Sequence, residues 1–180
     1  DVLPIYEEAL QMAEFRGQSL DGELLEIAAS YNDSLALEFL HNKNFDLGYV
    51  DNQGNNLLFY SATLKLTDGH YEPSRNSMEN TYSILNSHGI SIKSINNQGE
   101  SLVVASVTGG NPVILHYCSL EGVPFDSTDF DDNNLIHQLI KSYQRNGYKR
   151  EKDYLDSLII LLNQNVDIEE ENDDNESPLQ

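Results

Sequence analysis

The sequence predicts an all-α solenoid built from a repeated helix–turn–helix unit, and two recurrences along the 180-residue chain predict it. The first is a polar turn that opens onto an apolar anchor: "DNQGNNLLF" at Asp51–Phe59, "NNQGESLVV" at Asn96–Val104, "DFDDNNLIH" at Asp129–His137 and "NDDNESPLQ" at Asn172–Gln180. With Leu25 of "DGELLEIAAS", the anchors Leu25, Leu58, Val103, Ile136 and Leu179 are spaced 33, 45, 33 and 43 residues apart. That is a 33-residue unit with two insertions. The second recurrence is a helix end, then Gly or Asn, then an apolar–variable–apolar triplet, in "LEFLHNKNFDL", "YSILNSHGISI", "LHYCSLEGVPF" and "LIILLNQNVDI". Asn44, Gly89, Gly122 and Asn165 fall where a helix terminates in the left-handed conformation, which Gly and Asn tolerate.

The elements follow in order. Residues 1–17 read as a capping helix from Ile5 to about Phe15, with Pro4 at its start, glutamates in its first turn and Gly17 ending it. Units are expected at 18–50, at 51–95 with an insertion near 65–78, at 96–128, and at 129–171 with an insertion near 143–153. Helical periodicity is plain in Ala36, Leu37, Phe39 and Leu40, and again in Leu158, Ile159, Leu161 and Leu162. A partial fifth unit occupies 172–180: in "SPLQ" a hydroxyl cap precedes proline at the first helical position, as if the chain were cut inside a larger repeating structure.

At these residues the chain resembles the ankyrin repeat, whose pattern runs D-x-x-G-x-T-P-L-H-x-A-A and then V-V-x-L-L-L-x-x-G-A-D-V-N. The resemblance covers about residues 18–180. "LLEIAASYND" aligns with the first helix, Asp46 and Asp167 with the Asp after the cap, "SPLQ" with T-P-L-H, and His137 with its His. It is a degenerate match. Proline is missing from that tetrapeptide in all units but the last, and the Ala pair becomes Ser61-Ala62, Ser106-Val107 and Leu139-Ile140. The resemblance implies about four repeats plus a truncated fifth, each with two antiparallel helices and a β-hairpin finger. It also implies that His137 ties neighbouring loops by hydrogen bonding.

Composition narrows the function. A net charge of −20 with ten basic residues disfavours nucleic acid and anionic membrane surfaces, and no apolar run is long enough to span a bilayer. Cys118, the single cysteine, fits a reducing, cytoplasmic setting and falls on a core-facing helical position. His41, His70 and His88 show no ligand spacing with one another, and His116, two residues before Cys118, points elsewhere on the helix. Asp129, Asp131 and Asn133 match the first calcium-loop positions, but Asn134 and Ile140 replace the required Gly and Glu. No catalytic residue, metal or cofactor is therefore expected. The insertion at 143–153 carries Arg145, Lys149, Arg150 and Lys152 beside Tyr148 and reads as a solvated helix extension.

Binding remains. In such a solenoid the concave face is lined by fingers and first helices. The expected contacts are Val50, Asn52, Gln53 and Asn55; Ile95, Asn97, Gln98 and Glu100; Thr128, Phe130, Asp131 and Asn133; with Tyr31 and Thr108 from first helices. Phe130 is the expected aromatic anchor. Residues 1–64 hold eleven acids against Arg16 and Lys43, so the expected partner is a protein segment rich in Lys or Arg, met by a monomer. The competing expectation is a regulatory or targeting domain of a larger enzyme. Bacterial effectors delivered into host cells join degenerate ankyrin repeats to catalytic domains in this way.

Overall fold

The computed structural model describes residues 3–16, 21–63, 73–146 and 150–180, and the described part is all-helical. The helices are α1 (Leu3–Arg16), α2 (Asp21–Ser30), α3 (Ser34–Asn42), α4 (Leu57–Ala62), α5 (Arg75–Ser87), α6 (Leu102–Gly109), α7 (Pro112–Leu120), α8 (Leu135–Asn146) and α9 (Glu151–Asn163). Local chemistry starts them. Asp33, Asn56, Ser74, Ser101 and Asn111 each accept a hydrogen bond from a backbone N–H of the first turn of α3 to α7. Asn134 does the same for α8, accepting from the amides of Ile136 and His137.

Local chemistry also ends them. Asn44, Gly89, Gly122 and Asn165 take φ of 68°, 79°, 68° and 60°, the left-handed conformation expected of them. In each case the next amide (Phe45, Ile90, Val123, Val166) reaches back to the carbonyl of Leu40, Leu85, Cys118 or Leu161 and closes the helix end. The carboxylate expected after two of these caps then shapes the exit: Asp46 accepts from the amide of Gly48 and Asp167 from that of Glu169, both at 2.8 Å.

The helices pack in two rows. α2, α4, α6 and α8 contact one another in series, as do α3, α5, α7 and α9, and each first-row helix also touches the helix that follows it in sequence. This arrangement is compatible with an α-repeat solenoid. Leu25, Leu58, Val103 and Ile136 are all buried, whereas Leu179, the fifth of the series, is 72% exposed. Every large side chain of this kind withdrawn from water stabilises by about 1.5–3 kcal/mol, and here the neighbouring pair does the covering. Buried polar ties fix the rows. Asn32 and Ser61 exchange bonds through Asn32 Nδ2 to the Ser61 carbonyl and Ser61 Oγ to Asn32 Oδ1, and Asn111 Nδ2 donates to the same carbonyl at 2.8 Å.

Three expectations change. α1 begins at Leu3, so Glu7 and Glu8 lie beyond its first turn; the helix packs on α3 and buries Tyr6. Gly17 lies outside the described residues, as do residues 65–72 of the first insertion and Gly147, Tyr148 and Lys149 of the second. Arg150 is not part of a solvated basic face but is 4% exposed. Its guanidinium bonds Asp153 Oδ2 at 2.8 and 3.0 Å and reaches the Gly109 carbonyl. Finally, β-hairpin fingers are not seen: the described turns carry two isolated antiparallel bridges, Val50–Asn56 and Ile95–Ser101.

Gly109 marks a close approach of α6 to the end of α4. A Cβ there would stand 2.1 Å from the Ala62 carbonyl oxygen and 2.7 Å from Thr63 Cα, both backbone. Gly109→Ala should therefore cost about 1–3 kcal/mol through forced separation of α6 from α4, read as a lower urea midpoint at unchanged slope.

Candidate functional site: the polar loop face

Four loops that precede α4, α6 and α8 and close the chain share one internal wiring. In each, the side-chain oxygen of the first residue (Asp51, Asn96, Asp129, Asn172) accepts from the amides two and four positions on, at 2.8–3.1 Å. The first residue's own amide donates to the carbonyl four positions on, and the fourth residue's amide donates back to the first. That fourth residue, Gly54, Gly99, Asp132 or Asn175, has φ between 55° and 83°. The side chain thus replaces the strand pairing of a hairpin, and among the described residues only loops 51–55 and 96–100 are flanked by an isolated bridge.

The loops are joined in pairs. Asn97 N donates to the Gln53 carbonyl at 2.8 Å and Asn96 Nδ2 to Asn55 Oδ1 at 3.0 Å. Likewise Asp173 N donates to the Asp131 carbonyl at 3.1 Å and Asn172 Nδ2 to Asn133 Oδ1 at 2.9 Å. Among the described residues no such bond joins loop 96–100 to loop 129–133. One chemical difference accompanies the break: in the joined pairs the first residue, Asn96 or Asn172, donates its side-chain amide N–H to the loop before it. Asp129 has only a carboxylate, and its counterpart across the gap is Glu100, another acceptor.

Between the first two loops and α4 lies a groove of about 240 Å³ lined by Gln53, Asn55, Phe59, Tyr60, Thr63, Asn96, Gln98 and Glu100. Four of the expected contacts, Gln53, Asn55, Gln98 and Glu100, are brought together there. Below it an acidic network runs across α2 and α4. Tyr60 donates to Asp51 Oδ2 at 2.7 Å and Tyr49 to Glu26 Oε1 at 2.8 Å. The bond to Glu26, aided by burial, pushes Tyr49 up to about 12; burial, then Asp51, pushes Tyr60 higher still. Burial alone would raise Asp51, but hydrogen bonds from Tyr60, Asn55 and the amides of Asn55 and Gln53 outweigh it and hold the carboxyl below its usual range. Asp129 is likewise held low against burial, chiefly by Asn133.

The remaining expected contacts are placed variously. Val50, Asn52, Ile95, Asn97, Thr128 and Asp131 are exposed on the loops, and Thr108 is exposed on α6. Phe130 is fully exposed, with no neighbouring loop covering its ring. Tyr31 lies elsewhere, in an apolar groove with Ile5, Tyr6, Leu24 and Ile27 against α1. Asn133 needs correction: it is completely buried, donating to Asp129 and accepting from Asn172, with its carbonyl bonded by Gln138. It is a tie between loops and cannot meet a partner. His137 makes a similar tie, with Nε2 donating to the Glu176 carbonyl at 2.8 Å. Sequence reasoning missed Tyr60, Tyr49 and Glu26, because their convergence requires α2, α4 and the first loop to be in place.

Cys118 is completely buried in the apolar core, and burial pushes its thiol up to about 12, which leaves it un-ionised at neutral pH. Among the described residues, no helix is long and apolar enough to cross a membrane. No protein-family model matches the chain, and no curated protein matches it.

Asp51 and Asp129, depressed in the folded state, contribute stability in full above about pH 4, the unfolded value, and lose it as pH falls through their lower folded values. Urea midpoints should therefore drop between pH 5 and pH 2.5, and Asp51→Asn, which removes one titration, should shrink that drop. Cys118→Ser should leave the fold intact but lower stability by about 1–3 kcal/mol, because a hydroxyl enters an apolar layer; equilibrium unfolding measures it.

Proposed function

We propose that the chain is an ankyrin-type repeat module whose loop face recognises a Lys- or Arg-rich segment of a partner protein. The observation that carries this reading is the groove between loops 51–55 and 96–100. Among the described residues its lining holds amides and the Glu100 carboxylate and no basic side chain, beside the Asp51–Tyr60 and Glu26–Tyr49 pairs. Extended basic side chains would find oxygen acceptors along it. Bonds to charged donors at such a site are the stronger class, about 1.5–3 kcal/mol each.

The ankyrin assignment is supported by the 33-residue spacing, the four left-handed caps, the buried anchors and the His137 bond to the following loop. Phe130, exposed on the next loop of the series, gives the partner an apolar anchor. The overall charge of −20 favours encounter with a cation and makes it salt-dependent.

The test is fluorescence anisotropy with a labelled array of extended Lys/Arg-rich peptides, matched with uncharged versions. Basic peptides should bind at low salt and weaken as salt rises. Phe130→Ala and Glu100→Lys should each reduce affinity about tenfold while shifting the thermal midpoint little. Equal binding of uncharged peptides, or a collapse of stability in Phe130→Ala, would overturn the reading.

A further inference from the structure

Away from the loop face, two histidines 47 positions apart in sequence meet where the second-row helices end. His41 sits in the last turn of α3 and His88 caps the C-terminus of α5. Their Nε2 atoms are 3.3 Å apart and their rings, 4.4 Å between centroids, cross at 71°. Both side chains are exposed. His88 is oriented from behind: its Nδ1 lies 2.9 Å from the Ile84 carbonyl oxygen. A carbonyl only accepts, so Nδ1 carries the proton and the neutral ring presents a bare lone pair at Nε2. This backbone bond is the support that orients ligating imidazoles in metal sites. Lys43, two positions after His41, holds its Nζ over the Phe39 ring at 5.5 Å.

The spacing has a meaning. Two imidazole nitrogens each about 2.0–2.1 Å from a tetrahedral zinc ion stand about 3.3–3.4 Å apart. We propose that His41 and His88 form a two-histidine site for a borderline divalent transition-metal ion, Zn2+ or Cu2+, with solvent completing the coordination. Without metal, the His41 Nε2–H donates to the bare His88 Nε2. On binding, the neutral His41 ring moves its proton to solvent-exposed Nδ1 and turns its own Nε2 lone pair toward the cation, and no net proton is lost. The ion would then join the α3 and α5 ends, so binding adds to the stability of the helix row.

The test uses the described chain with Zn2+ or Cu2+ alone, in excess Mg2+ so that the thirty carboxylates are occupied by a hard ion. Titration calorimetry should show one site, tighter for Cu2+ than for Zn2+, and Zn2+ should raise the thermal midpoint reversibly with a chelator. His41→Ala and His88→Ala should each weaken Zn2+ binding by about tenfold or more and abolish the shift, while His116→Ala changes neither. Both substituted positions are exposed, and circular dichroism verifies the fold. Absence of a Zn2+ or Cu2+ isotherm, or one that persists in the His41→Ala/His88→Ala double variant, would overturn the proposal.

Discussion

The fold depends on one constraint: no helix pair here can cover its own apolar side chains. α4 is six residues long and buries Leu57, Leu58, Phe59, Ser61 and Ala62, almost its whole surface. So short a helix has little stability of its own and persists because α2, α6 and α5 close around it. The same dependence runs along the rows, so each pair's stability is largely an interface property. Leu179 shows the converse. It occupies the same sequence register as four buried anchors and is exposed where the described chain places no helix pair against it.

Because stacking distance is set by the closest contact, small groups and exact hydrogen bonds govern it. Gly109 against the Ala62 carbonyl fixes the approach of α6 to α4, and the Asn111 amide on the Ser61 carbonyl locks the register nearby. On the loop side the register is carried by asparagine. A carboxamide accepts within its own loop and donates to the loop before, so Asn96 and Asn172 each serve two loops at once. Asp51 and Asp129 can accept but not donate. Loops 96–100 and 129–133 are the pair without such a tie among the described residues, and the Phe130 ring stands in solvent on the second of them.

The two surfaces for which binding is proposed sit on opposite requirements. The loop groove offers oxygens to cations and is embedded in a network that keeps Asp51 ionised and Tyr49 and Tyr60 protonated. The histidine pair offers nitrogen lone pairs at a helix end, with the carbonyl of Ile84 fixing one tautomer. Hard basic side chains suit the first and softer transition ions the second.

What the sequence determined by itself were features that obey local rules. A positive φ at a helix end demands Gly or Asn, so Asn44, Gly89, Gly122 and Asn165 were legible at once. Anchors at fixed spacing must share an environment if the unit recurs, and Leu25, Leu58, Val103 and Ile136 do. Only the tertiary structure decided matters in which one polar residue had a choice of partners. Asn133 reads as an exposed loop residue until Asn172, 39 positions on, closes over it. Arg150 reads as a surface base until the Gly109 carbonyl and Asp153 enclose it. His41 and His88 share no motif, because their meeting is created by the stacking of one helix end on the next. Local conformation is a property of a residue and its neighbours in the chain, whereas satisfaction of a buried or paired polar group depends on what the fold brings across a gap.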